Sequence, residues 1–286
     1  MDRRLFLKSV GLAGAAALTA GGREARAEGD AGDPVGILVD TTRCAGCRTC
    51  EFACATANGL PEPDPDLELR PGMRREPSER QWTVVNCYET EEGDEIYVKK
   101  QCMHCLQPAC ASACLTKAML KTEDGPVLWR EDKCMGCRFC MVSCPFDIPK
   151  FEYGSANPRI QKCVMCFSRI REGEKPACVA NCPNEALLFG KRSELLEIAY
   201  RRIYQAPDDY VHHVYGEHEA GGTGWLYLAA VPFEKLGFRT DLGKRAYPEL
   251  TTGFLYSVPL VLALWPAFLL GLRKATRSNH HDEAGE

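Results

Sequence analysis

Sixteen of the chain's 17 cysteines fall into four groups of four between Cys44 and Cys182, and any fold must gather them into small sets. The first group is Cys44, Cys47, Cys50 and Cys54, in CAGCRTCEFAC. The second is Cys102, Cys105, Cys110 and Cys114, in CMHCLQPACASAC. The third is Cys134, Cys137, Cys140 and Cys144, in CMGCRFCMVSCP. The fourth is Cys163, Cys166, Cys178 and Cys182, where CVMC is followed at a distance by CVANCP. The first and third read C-x2-C-x2-C-x3-C. The second widens the middle gap to four residues and the fourth to eleven, while both keep the outer spacings.

The spacing has a physical reason. Three thiolates on one tight loop close over three corners of an iron–sulfur cubane, as in the bacterial ferredoxin run. The fourth cysteine starts a helix and points away, so in two-cluster ferredoxins it serves the neighbouring cluster. Four groups therefore predict four [4Fe–4S] clusters in an α+β fold of two ferredoxin-like double-cluster modules, built of short strands and helices. Soft thiolates favour iron–sulfur, copper(I) or zinc over calcium or magnesium. A disulfide framework suits small secreted chains. Three cysteines within seven residues, twice over, nevertheless pair poorly at disulfide geometry. Zinc knuckles share the C-x2-C pairs but not the cysteines that follow them here. Cys87 has no neighbour at ligand spacing and reads as a small buried hydrophobe.

The two ends predict where such a body resides. Residues 1–27 carry Arg3 and Arg4 followed by Phe6, Leu7 and Lys8, then a short apolar stretch from Val10 to Ala20. That stretch is too short and glycine-rich to span a membrane and matches a twin-arginine export signal, with Ala25-Arg26-Ala27 as a cleavage site. This route exports folded proteins, which suits a cluster-built core. Its loss takes the formal charge from −4 to −7, and nothing in the charge suggests a nucleic-acid partner. Residues 254–272 hold 19 residues without a charge, about 28 Å of helix and enough for one transmembrane span. Arg273, Lys274 and Arg277 follow, which predicts a cytoplasmic tail at 273–286 and a cluster domain, 28–250, on the periplasmic side of the inner membrane. Pro259 and Pro266 suggest kinks or packing against other helices.

Between the ends, Ile37–Asp40 is a predicted strand entering the first group. Residues 61–81, with five prolines and alternating charge, read as a surface loop. Strands are predicted over Trp82–Tyr88, Glu95–Val98 and Trp225–Val231. Ser193–Tyr204 reads as an amphipathic helix capped by Ser193, with Leu195, Leu196, Ala199, Tyr200 and Ile203 on its apolar face. His212, His213 and His218 lack any haem or zinc motif and read as loop histidines. Gly46 and Gly136 occupy matching positions in the first and third groups, where a left-handed turn keeps backbone amides near sulfur. Arg48, Lys99, Lys100, Lys133, Arg138, Lys150 and Lys162 lie near the groups, and His104 lies inside one. Cations and N–H donors of this kind raise a cluster's potential.

KKQCMHC, CxGCRxCMVSCP and HHVYGEHEAGGTGWLYLAAVPFE, with the export signal and the single apolar C-terminal stretch, carry a resemblance that covers nearly the whole chain. It resembles the periplasmic four-cluster subunits of membrane-bound respiratory enzymes, above all the ferredoxin-like subunit of the hydrogenase-2 type of nickel–iron hydrogenase. Formate dehydrogenase beta subunits share the plan. The resemblance implies that the first group pairs with the fourth and the second with the third. One cluster would take Cys44, Cys47, Cys50 and Cys182, and its neighbour Cys163, Cys166, Cys178 and Cys54. The other pair would take Cys102, Cys105, Cys110 with Cys144, and Cys134, Cys137, Cys140 with Cys114. It also implies a non-catalytic relay between a periplasmic catalytic subunit and a quinone-handling membrane subunit. No triad, carboxylate pair or open metal position argues for catalysis instead. A reductase acting at one of its own clusters would need a site with only three protein ligands, and a structural metal protein would be redox-silent. The chain lacks the proline after Cys54 and Cys114 that follows Cys144 and Cys182, which removes no ligand.

Overall fold

The structure is a computed structural model that describes residues 32–282. The export signal predicted at 1–27 lies outside the described residues. Gly32–Leu250 forms one compact unit, and the chain from Thr251 belongs to a second.

The first unit is centred on β1 (Val35–Asp40), which pairs antiparallel with β8 (Leu187–Lys191) and parallel with β9 (Trp225–Leu228). Period-two alternation divides the strands' side chains between two cores. Ile37, Val39, Trp225 and Tyr227 enter one cluster with Val98, Met165 and Cys178. Leu38, Leu226 and Leu228 enter another, against Leu195, Ala199 and Ile203 of α6 (Arg192–Gln205). Each of these strand side chains is at most 1% exposed, and burying a large aliphatic one stabilises by about 1.5–3 kcal/mol.

Ser193 does not cap α6, contrary to the expectation. The cap position is Lys191, and Asp33 reaches in from before β1 to accept from the Ser193 amide at 3.2 Å and its hydroxyl at 2.5 Å. Tyr200 is also not on the buried face: it is exposed, and its hydroxyl donates to Glu217.

Two hairpins follow the first group's helix, α1 (Thr49–Asn58). β2 (Val84–Glu89) and β3 (Glu95–Lys100) form the first, and β4 (Met119–Lys121) and β5 (Val127–Trp129) the second. Between these hairpins lies α2 (Ala109–Ser112), and after them α3 (Phe139–Ser143). A short pair, β6 (Lys150–Phe151) and β7 (Ile160–Gln161), precedes α4 (Phe167–Arg171) and α5 (Ala177–Ala180).

One arrangement occurs twice. A strand, β1 or β5, leads through a 3-10 turn (Thr41–Arg43 or Glu131–Lys133) into the first or third cysteine group. The strand that pairs with it, β8 or β4, is the one that leaves the fourth or second group. Strand pairing therefore brings the fourth group to the first and the second to the third.

Residues 61–81 contain no helix or strand, as expected, but they are more than a surface excursion. Glu51 of α1 is buried and holds the segment down. Its carboxylate accepts from Arg75 at 2.7 and 3.0 Å, Gln81 at 2.9 Å, Arg48 at 3.1 Å and the Val85 amide at 2.6 Å.

The second unit's described part is helical. It continues α7 (Tyr247–Asp282), which contains Pro259 and Pro266. Within α7, Tyr247–Lys274 is long and apolar enough to cross a membrane, and none of that span is buried. The helix runs on beyond the predicted span of 254–272 through Arg273 to Asp282.

Candidate metal centre

None of the 17 cysteines is in a disulfide. Their loops turn through left-handed backbone, which the sequence signalled at Gly46 (φ 67°) and Gly136 (φ 72°). The same conformation recurs at Arg48 and Arg138 in those loops, at His104 in the second, and at Met165 and Cys166 in the fourth. Non-glycine residues bear a steric cost there, and such positions concentrate at binding sites. Nothing local in the sequence marks them.

Two cavities show which thiols face each other. One is bordered by Cys44, Cys47, Cys50 and Cys182. The next is bordered by Cys54, Cys163, Cys166 and Cys178. In the other half, the Cys105 thiol is raised by burial and by its neighbours Cys102, Cys144 and Cys110. Cys140 is pushed up to about 11 by burial and by Cys114, Cys134 and Cys137. The sets also adjoin in series. Cys50 feels Cys178, Cys163 feels Cys102, and Cys110 feels Cys140. At the two ends of this series Cys47 and Cys137 are exposed.

The chemistry of these sets fits an iron–sulfur group. Burial pushes Cys163 and Cys110 up to about 12, so bare thiols would stay protonated, and thiolates need compensating cations. Among the described residues no three His, Cys, Asp or Glu side chains close on the span of one metal ion. Among the described residues five buried N–H donors also lack a partner: Trp82 Nε1, Trp129 Nε1, Trp225 Nε1, His104 Nε2 and Arg130 Nε. His104 accepts from the Val127 amide at Nδ1, 2.8 Å away, which assigns the proton to Nε2. Trp82 and Trp225 border the second cavity. Donors of this kind suit sulfide and thiolate acceptors.

Of the basic residues near the groups, Lys99 and Lys162 are buried at 3% exposure, which their sequence context did not reveal. Lys162 donates to the Cys163 carbonyl at 3.0 Å. Arg48 is buried but spent on Glu51, and Arg138 lies over the Phe151 and Tyr153 rings. Lys100 and Lys150 pair with Glu76 and Asp147. Cys87 is buried in β2, and His212, His213 and His218 are exposed, as expected.

Comparison with known proteins places this geometry among relatives. Residues 94–192 match the family described as the 4Fe-4S dicluster domain. A protein of Nitratidesulfovibrio vulgaris is 47% identical over 296 residues, covering 100% of this chain and 80% of its own length. The hydrogenase-2 operon protein HybA of Escherichia coli O157:H7 is 34% identical over 325 residues, covering 99% of this chain and 98% of its own. The nitrate-inducible formate dehydrogenase iron-sulfur subunit of Escherichia coli K12 is 32% identical over 203 residues, 68% of this chain and 67% of its own.

Proposed function

Since the chain belongs to the 4Fe-4S ferredoxin-like electron-transfer subunits of respiratory enzymes, we propose that it holds four [4Fe–4S] clusters in two modules. They relay electrons between a periplasmic catalytic subunit and a membrane subunit that handles quinone. The chain itself is a non-catalytic electron-transfer subunit. The observation that carries the four-cluster reading is the sorting of cysteines. Cys182 shares a cavity with the first group's leading three, and Cys54 shares one with Cys163, Cys166 and Cys178. That is the exchange of fourth ligands found in two-cluster ferredoxins. Cys144 with Cys102, Cys105 and Cys110, and Cys114 with Cys134, Cys137 and Cys140, repeat it. When bound, each cluster takes up and releases one electron. The protein's part is to exclude water from the thiols, supply N–H donors and lysine charge, and space the sites in series.

The two exposed ends differ. Around Cys137 stand the exposed side chains of Leu115, Met135, Phe139 and Val142. The repeat places Pro183, Ala45, Thr49 and Phe52 at the matching positions around Cys47. There Arg48 also donates to the Leu67 carbonyl, bringing the 61–81 segment over that end. On these exposed apolar side chains we take the Cys137 end as the one that faces the membrane subunit, and the Cys47 end as the one that faces the catalytic subunit. A nickel–iron hydrogenase is the favoured catalytic partner, because the hydrogenase-2 operon relative matches over 98% of its length and the formate dehydrogenase subunit over 67%. A formate dehydrogenase or another molybdopterin- or cytochrome-linked complex is the second reading.

Anaerobic analysis of the purified chain should find about 16 iron and about 16 sulfide. A value near eight, or stoichiometric zinc, would sink the four-cluster reading. Isolating the complex through this chain should bring a nickel-bearing large subunit and hydrogen-dependent quinone reduction. A molybdenum or tungsten subunit in its place would pass the function to the second reading.

The chain also sits as a single-pass protein in the inner membrane, its clusters outside and its C-terminus in the cytoplasm. Arg273, Lys274 and Arg277 at the end of the apolar span support this orientation. A reporter fused after Arg277 should be active on the cytoplasmic side, while added protease digests residues 28–250 from outside. The reverse labelling would overturn the orientation.

A further inference from the structure

Lys99 borders both the cavity of Cys44, Cys47, Cys50 and Cys182 and the cavity of Cys54, Cys163, Cys166 and Cys178. Its side chain is enclosed, with the residue 3% exposed. Nζ donates to Thr83 Oγ1 at 2.6 Å and to Gln101 Oε1 at 2.9 Å, and lies 4.6 Å from the centre of the Trp225 ring. Those hydrogen-bond acceptors are neutral, so none of them balances the ammonium charge. A buried unpaired cation is strongly unfavourable unless an opposite charge stands nearby.

On the four-cluster reading above, we propose that Lys99 is the shared counter-ion of the first pair of sites and sets both of their reduction potentials. Each reduction adds a negative charge beside a fixed positive one that water cannot screen, so the reduced state is favoured at both sites. A surface lysine cannot have this effect, because solvent screens it. Lys99 is thus a positioning and tuning residue, and it leaves ligation to the cysteines.

The test is a redox titration of the intact complex in mild detergent, followed by paramagnetic resonance, with iron counted in every sample. Dithionite supplies the electrons. Signals of the first pair are identified as those altered in Cys178→Ser. In Lys99→Met the equilibrium constant for reduction at both first-pair sites should fall at least tenfold, which is 59 mV for a one-electron couple. The second pair should keep its potentials. Lys100→Met removes the neighbouring, partly exposed charge that pairs with Glu76, and should move none of the four. If Lys99→Met loses iron, Lys99→Gln retains a polar group toward Thr83 and is titrated in its place. Unchanged first-pair potentials at full iron content would overturn the proposal, as would an equal shift of all four. Loss of first-pair iron from both Lys99 variants would also overturn it, showing a structural role. A wild-type iron count near eight would instead remove the four-cluster reading on which it rests.

Discussion

Stripping the clusters from the full chain in detergent should turn residues 37–190 from protease-resistant to digestible, leaving no compact apoprotein. The regular structure between the second and fourth groups is too slight to stand alone. α2 and α5 have four residues each, and α3 and α4 have five. Helices this short are marginal in water without tertiary support. Their buried faces include the thiols themselves: Cys110 and Cys140 pack with Met119, Val127 and Ile160, and Cys102 and Cys163 pack with Ile148. Without metal these packings surround empty cavities and buried donors with no acceptor. Metal binding is then folding free energy, on the order of 10 kcal/mol per structural site by comparison with zinc peptides. Limited proteolysis before and after chelation under oxidation reads the outcome by region. A resistant 37–190 fragment after complete iron loss would contradict it.

Glu51→Ala should be the most damaging substitution outside the cysteines. The carboxylate is buried and accepts from two arginines, a glutamine amide and a backbone N–H. Arg48 and Arg75 are themselves largely buried, with side-chain exposures of 6% and 14%. Removing the acid strands two cations, a loss of about 3–5 kcal/mol, or roughly 10 °C in Tm for a unit of this size. The loss extends to the proposed site, because Glu51 lies between Cys50 and Cys54 and fixes α1 against β2. Glu51→Gln, which keeps the shape and part of the hydrogen bonding, should fall between wild type and Glu51→Ala. Thermal denaturation of the iron-loaded proteins measures both. An unchanged Tm in Glu51→Ala would show that the 61–81 segment is held by other contacts.

Cysteine spacing by itself pointed to the chemistry proposed for this protein. C-x2-C-x2-C-x3-C is the ferredoxin run, and four versions of it predict four sites whichever way the chain folds. The sequence also determined the strand entering the first group, the left-handed glycines Gly46 and Gly136, and the uncharged span at 254–272. Each of these is a local property, set by steric preference or by hydropathy over neighbouring residues. Partnership between groups is not local. Cys182 meets Cys44 because β8 pairs with β1, and β1 in turn lies beside β9 from far along the chain. Burial of individual charges is likewise decided at long range. Lys99 and Lys100 are adjacent on one strand, whose side chains alternate between faces. Packing encloses the first between two thiol cavities, while the second remains partly open to solvent beside Glu76. Asp33, rather than Ser193, caps α6 for the same reason, since the cap comes from a segment some 160 residues away that only the folded sheet brings near.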